Sequence, residues 1–157
     1  MLTIFLFGTT LDYTKNSSSA QINIPAGSTI LYAELVWGGL FKSTDNDISN
    51  LIDDSINFTT PQGSFSISPS PVTAQTFNIF VTNITLGFYT RSANVTNLVQ
   101  NTGSGTYCVG SVPSLIEPID SRTSDTNHAG WTLAVVYAND SLPFRSLNLW
   151  AGGEVVA

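Results

Sequence analysis

Apolar and polar positions alternate along most of the chain with the two-residue period of β-strands. Across residues 29–37, Leu31, Ala33, Leu35 and Trp37 share one face and Ile30, Tyr32, Glu34 and Val36 the other, before Gly38-Gly39 ends the run. Both faces are largely apolar, with Glu34 the exception, which predicts a central strand covered on both sides. Gln21-Ile22-Asn23-Ile24 alternates as far as the turn signal Pro25-Ala26-Gly27. Residues 55–59 and 64–67 alternate on either side of Pro61-Gln62-Gly63, the pattern of a hairpin. Further strands are predicted at 77–81, 88–90, 105–109, 131–137 (the longest apolar one) and 145–150. The single helical candidate spans 93–100, where Val95, Leu98 and Val99 have helical spacing behind a polar cap at Ser92 and Gly103 closes the run. Eight to ten short strands with polar turns define an all-β chain. The expected fold is a two-sheet antiparallel β-sandwich, jelly-roll-like, with at most one short helix.

Composition adds what the pattern leaves open. The chain has 157 residues, the size of one domain, and 1–157 is read as a single β-sandwich. Charged residues make up only 10%, and Ser, Thr and Asn together fill about a third of the chain, so hydroxyls and amides must form much of the surface. Such a surface suits an extracellular or fibrous β-protein. The net charge of −6, with five Lys and Arg in all, excludes nucleic-acid binding, which needs clustered cations. No apolar run is long enough for a membrane-spanning helix.

The repertoire for catalysis is thin. Nucleophilic catalysis needs an imidazole proton shuttle, and His128 is the one histidine; its expected role is a loop hydrogen bond to nearby backbone. Cys108 is the one cysteine, which excludes an intrachain disulfide, and its place in a strand pattern predicts a small buried side chain. Asp45, Asp47, Asp53 and Asp54 share one polar loop, and Asp120, Asp125 and Asn127 another. Solvated loop acids are the simpler reading and bound calcium the alternative, since such loops supply the oxygen ligands calcium takes. The first loop is not an EF-hand: Asn50 stands where Gly is required and Ile56 where Glu is. Trp37, Trp131 and Trp150 end apolar strands, which predicts packing rather than sugar stacking.

The N-terminal stretch Leu2-Thr3-Ile4-Phe5-Leu6-Phe7 lacks the basic start and small-residue cleavage site of a signal peptide and reads as a strand stopped by Gly8. Within one chain it is an ordinary sandwich strand. The alternative is that residues 1–8 leave their own domain and complete a neighbour's sheet, with Leu2, Ile4, Phe5, Leu6 and Phe7 as the self-association residues.

Several motifs recur together in a known order. These are Tyr32-Ala33-Glu34-Leu35-Val36-Trp37-Gly38-Gly39, then Ala93-Asn94-Val95-Thr96-Asn97-Leu98-Val99, then Gly103-Ser104-Gly105-Thr106-Tyr107. The strongest stretch is Ala129-Gly130-Trp131-Thr132-Leu133-Ala134-Val135-Val136-Tyr137, continuing through Leu142-Pro143-Phe144-Arg145 to Leu149. Over roughly residues 20–155 the chain resembles the N-terminal domain of large bacterial surface proteins, especially from bacilli, that continue into tandem repeats of a conserved domain of unknown function. The resemblance implies a non-enzymatic module at a bacterial cell surface, a spore surface or another extracellular site. It also implies a positive-φ turn at Gly38-Gly39, a strand starting at Gly130-Trp131 and a turn at Pro143 before a further strand. It carries over no functional residues.

Two functional classes follow. The first is a non-catalytic structural or adhesive module whose partner is a second copy of itself, joined by β-strand addition into an oligomer or filament. The alternative is a lectin-like module binding a glycan or a host or surface receptor, with calcium as a candidate cofactor.

Overall fold

A computed structural model describes residues 10–81, 83–118 and 126–153. The N-terminal stretch 2–7, Asp120 and Asp125 lie outside these residues. Among the described residues the chain forms eight strands and one short α-helix: β1 (Ser17–Ile22), β2 (Thr29–Lys42), β3 (Ile56–Thr60), β4 (Gly63–Ile67), β5 (Gln75–Val81), β6 (Ile84–Asn94), α1 (Thr96–Thr102), β7 (Gly105–Gly110) and β8 (Ala129–Ala138). They make two four-stranded antiparallel sheets, in the orders β1-β7-β3-β4 and β5-β6-β2-β8. The nested pairs β1 with β7 and β2 with β6, with the chain crossing repeatedly between sheets, are the wrapping of a jelly roll. The fold is an all-β sandwich, as the alternation predicts.

The core lies between the sheets. Leu35, Trp37 and Tyr89 come from one, Phe58, Tyr107 and Val109 from the other, and Phe58 and Tyr107 stack at 5.7 Å. Beneath them, α1 contributes the fully buried Val99. On the opposite, outer face of the first sheet, Ser19, Cys108, Thr59 and Ser64 stand in one row across all four strands, and the Thr59 and Ser64 hydroxyls share a hydrogen bond of 2.8 Å. The hydroxyl-rich composition is spent here, on a neutral solvated face. Cys108 is therefore half-buried and outward-facing rather than enclosed.

β2 is central, between β6 and β8, as its two apolar faces predict. A register shift between Ile30 and Tyr32 reverses the alternation at its start, so Ile30 enters the core and Leu31 points to solvent. Glu34, 4% exposed, is satisfied by hydroxyls: Ser92 Oγ donates to Oε1 at 2.6 Å and Tyr32 OH to Oε2 at 2.5 Å.

Gly38-Gly39 is no turn. Both lie inside β2, and neither has a positive φ. A Cβ on Gly38 would sit 2.3 Å from the Tyr89 carbonyl oxygen, so close approach of two backbones, not turn geometry, requires glycine here. The helix begins at Thr96 instead of residue 93, because Ala93 and Asn94 finish β6; Asn94 Oδ1 accepts from Thr96 N at 3.0 Å where a cap at Ser92 was expected. Among the described residues no regular element follows Pro143, although the pattern at 145–150 predicts a strand.

Candidate functional site

Among the described residues the titratable side chains are dispersed, and several are held in pairs. Lys42 Nζ holds Asp47 at 2.8 Å, and the Ser49 amide donates to the same carboxylate; the lysine, with help from Ser49, lowers the Asp47 pKa to about 2. Asp53 accepts from Arg91 Nε at 2.6 Å, and Arg91 Nη1 also donates to the Gln75 and Thr90 carbonyls. Asp45 and Asp54 are exposed on the same loop. Among the described residues, no three His, Cys, Asp or Glu stand close enough together to hold a metal ion. Asn127 clasps the Glu117 backbone instead, accepting from its N–H at 2.8 Å and donating to its carbonyl at 2.7 Å. His128 contacts the Thr126 carbonyl through Nδ1 at 3.1 Å, with its ring beside Phe88. It is the backbone-bonded loop histidine its surroundings predict.

What the fold leaves open lies along one flank. β1 is the edge of one sheet and β8 the edge of the other, tied by a bond of 2.8 Å from Trp131 Nε1 to Ser18 Oγ. Ser18 pairs with Val109, so β1 places a small side chain on the inner face where a large one would close the flank. The result is a cleft of about 400 Å³ running past the starts of β1 and β8, with Val109, Val112, Ile116 and Trp131 as its main apolar surface. Gly130 lines it too, and a Cβ there would meet nothing within 4 Å. The described chain starts beside this cleft. Thr10 Oγ1 donates to Asn16 Oδ1, and Asn16 Nδ2 to the Thr10 carbonyl, each at 3.1 Å, and Asn16 is itself a lining residue.

A second feature follows β8. Asn139 turns the chain, its Nδ2 donating to Ser28 Oγ and the Ala26 carbonyl. Beyond it, Phe144 is 97% exposed, Leu147 65% and Trp150 91%. The packing expected for the three tryptophans holds for Trp37, in the core, and for the half-buried Trp131, but fails for Trp150. Further on, Gly153 N donates to Gln75 Oε1 at 3.1 Å and ties the tail to β5. Sequence pattern located this apolar run but could not show that it lacks a partner strand. It gave no signal of the cleft, which draws on three separate stretches of chain.

Comparison with protein families, with curated proteins and with solved structures returns no match for this chain.

Proposed function

We propose that this domain is a non-catalytic structural or adhesive module of a bacterial cell-surface, spore-surface or other extracellular assembly, and that copies of it associate with one another by β-strand addition. One observation carries the reading: residues 145–150, whose pattern predicts a strand, form no regular element, and the run from Phe144 to Trp150 exposes side chains as large and apolar as these two. Large exposed apolar residues gathered on a short stretch mark an interaction surface. Two features add support. β1 and β8 carry no Lys, Arg, Asp, Glu or Pro, the residues that guard a sheet edge against pairing. The ordered motifs shared with bacterial surface proteins suggest the location.

The test is sedimentation velocity with electron microscopy of the native full-length chain over a range of concentrations. Filaments or concentration-dependent oligomers are expected. A monomer at every concentration up to the solubility limit overturns the reading.

A lectin-like role is the second reading, and the same exposed Trp150 ring favours it, since aromatic faces stack on sugars. Glycan-array binding that Trp150→Ala abolishes, on a protein that stays monomeric, would select it.

A further inference from the structure

We propose that the cleft between the starts of β1 and β8 is the acceptor site for residues 2–7 of a second copy of this chain, an inference that rests on the self-association proposed above. Three observations lead to it. The cleft exposes the sandwich's own interior: Val109 and Val112 belong to the buried core cluster, and Trp131 packs against that cluster. Its two walls are edge strands without a charged residue or proline, so an incoming backbone can pair with either. Residues 2–7 are apolar at every position except Thr3 and are separated by only Gly8 and Thr9 from Thr10, which is fastened at the rim.

The choice of a second copy follows from the two faces of the segment. Leu2, Ile4 and Leu6 fall on one face and Phe5 and Phe7 on the other. A strand at the flank of its own sandwich covers one face and leaves the other in water. Laid between two copies, it covers both, with the exposed residues 144–150 as apolar surface for the second. Donation of this kind is head-to-tail and does not close on itself, so it extends to an open assembly.

Two full-length variants separate donor from acceptor. Ile4→Asp with Leu6→Asp spoils the segment and leaves the cleft intact. Ser18→Tyr fills the cleft from the inner face of β1, where Ser18 lines it, and leaves the segment intact. Light scattering after size exclusion should show an assembling parent, two monomeric variants, and a one-to-one dimer when the variants are mixed. Variants that assemble like the parent overturn this site while leaving the self-association reading standing. A mixture that stays monomeric overturns donation between copies. A monomeric parent removes the self-association reading and this site with it. If Ser18→Tyr fails to fold, the donor-spoiled variant still decides: it must bind a fluorescent peptide of residues 1–9, and absence of binding overturns the docking.

Discussion

Gly38 and Gly130 are register partners across the β2–β8 ladder, yet alanine at the two positions should act in opposite directions. At Gly38 the new Cβ would lie 2.3 Å from the Tyr89 carbonyl oxygen and 3.4 Å from its carbon, both backbone atoms of β6. Since real Cβ contacts essentially never fall below 3.0 Å, β6 must retreat by roughly 0.7 Å, and no side chain can rotate to absorb the shift. Overpacking of this kind costs about 1–3 kcal/mol, and a strained ladder bond in the middle of the sheet adds up to about 1 kcal/mol. Against this, removing a glycine from a strand gains about 0.5–1 kcal/mol by restricting the unfolded chain. The clash wins, and Gly38→Ala should be destabilised by about 2–3 kcal/mol, a fall in Tm of about 5–10 °C for a domain of this size. At Gly130 nothing lies within 4 Å of the Cβ, so only the favourable term acts and Gly130→Ala should match or exceed the parent by up to about 1 kcal/mol. Chemical denaturation of the three proteins, checked by thermal melts, measures both. A Gly38→Ala protein as stable as the parent would refute the close-approach argument. A Gly130→Ala protein weaker by more than about 1 kcal/mol would show that the cleft wall is packed after all.

Asp53→Ala leaves the Arg91 guanidinium, 5% exposed, with two carbonyl acceptors and no counter-charge; with Asp53 itself 71% exposed, the loss should be about 1–2 kcal/mol, and equal melts for Asp53→Ala and the exposed neighbour Asp54→Ala would refute it. The Asp47 carboxyl is held at about 2 against an ordinary 3.8, so the Lys42 pair contributes fully above the unfolded value and is lost as pH falls from about 4 to 2; in so exposed a pair this is only about 0.5 kcal/mol, and an Asp47 titration midpoint near 3.8 by NMR would refute it. Cys108→Ala should cost less than about 1 kcal/mol, because the side chain lies on the outer face, and the thiol of the folded protein should react with a thiol reagent without denaturant; protection until unfolding would refute that placement.

The fold was legible wherever local pattern and local turn chemistry agreed. The β3–β4 hairpin is the clearest case, since alternating runs flank Pro61 and Gln62 and the pairing joins near neighbours in sequence. β2 was legible as central because both its faces are apolar. Its details were not. The register shift at Ile30 depends on pairing with β8, about a hundred residues away. The glycine pair after Trp37 looks identical in sequence whether it turns the chain or lets β6 approach, and only the position of the Tyr89 carbonyl decides. The longest apolar run became an edge strand for a related reason: hydrophobicity reports that a strand needs cover, not which neighbours supply it. The partners of the acid loop were not legible either, because Asp53 finds its partner in Arg91, 38 residues on, while Asp47 is taken by Lys42 at the end of β2.

The scarcity of charge acts differently on the faces and on the edges of this sandwich. Across the outer face of the first sheet it is harmless, since the row from Ser19 to Ser64 meets water through small, mostly hydroxyl side chains. At β1 and β8 the same scarcity removes the usual defence, because an edge offers unpaired N–H and C=O groups along its length. A monomeric protein with these edges would need a bulge, a proline or a lysine to stay apart. The register shift at the start of β2 acts on the opposite side of β8, and the two lysines, neither of them in β1 or β8, are engaged with Asp12 and Asp47. The neutral edges, the small Ser18 that holds the flank open and the exposed apolar run after β8 are the features on which the proposed strand addition rests.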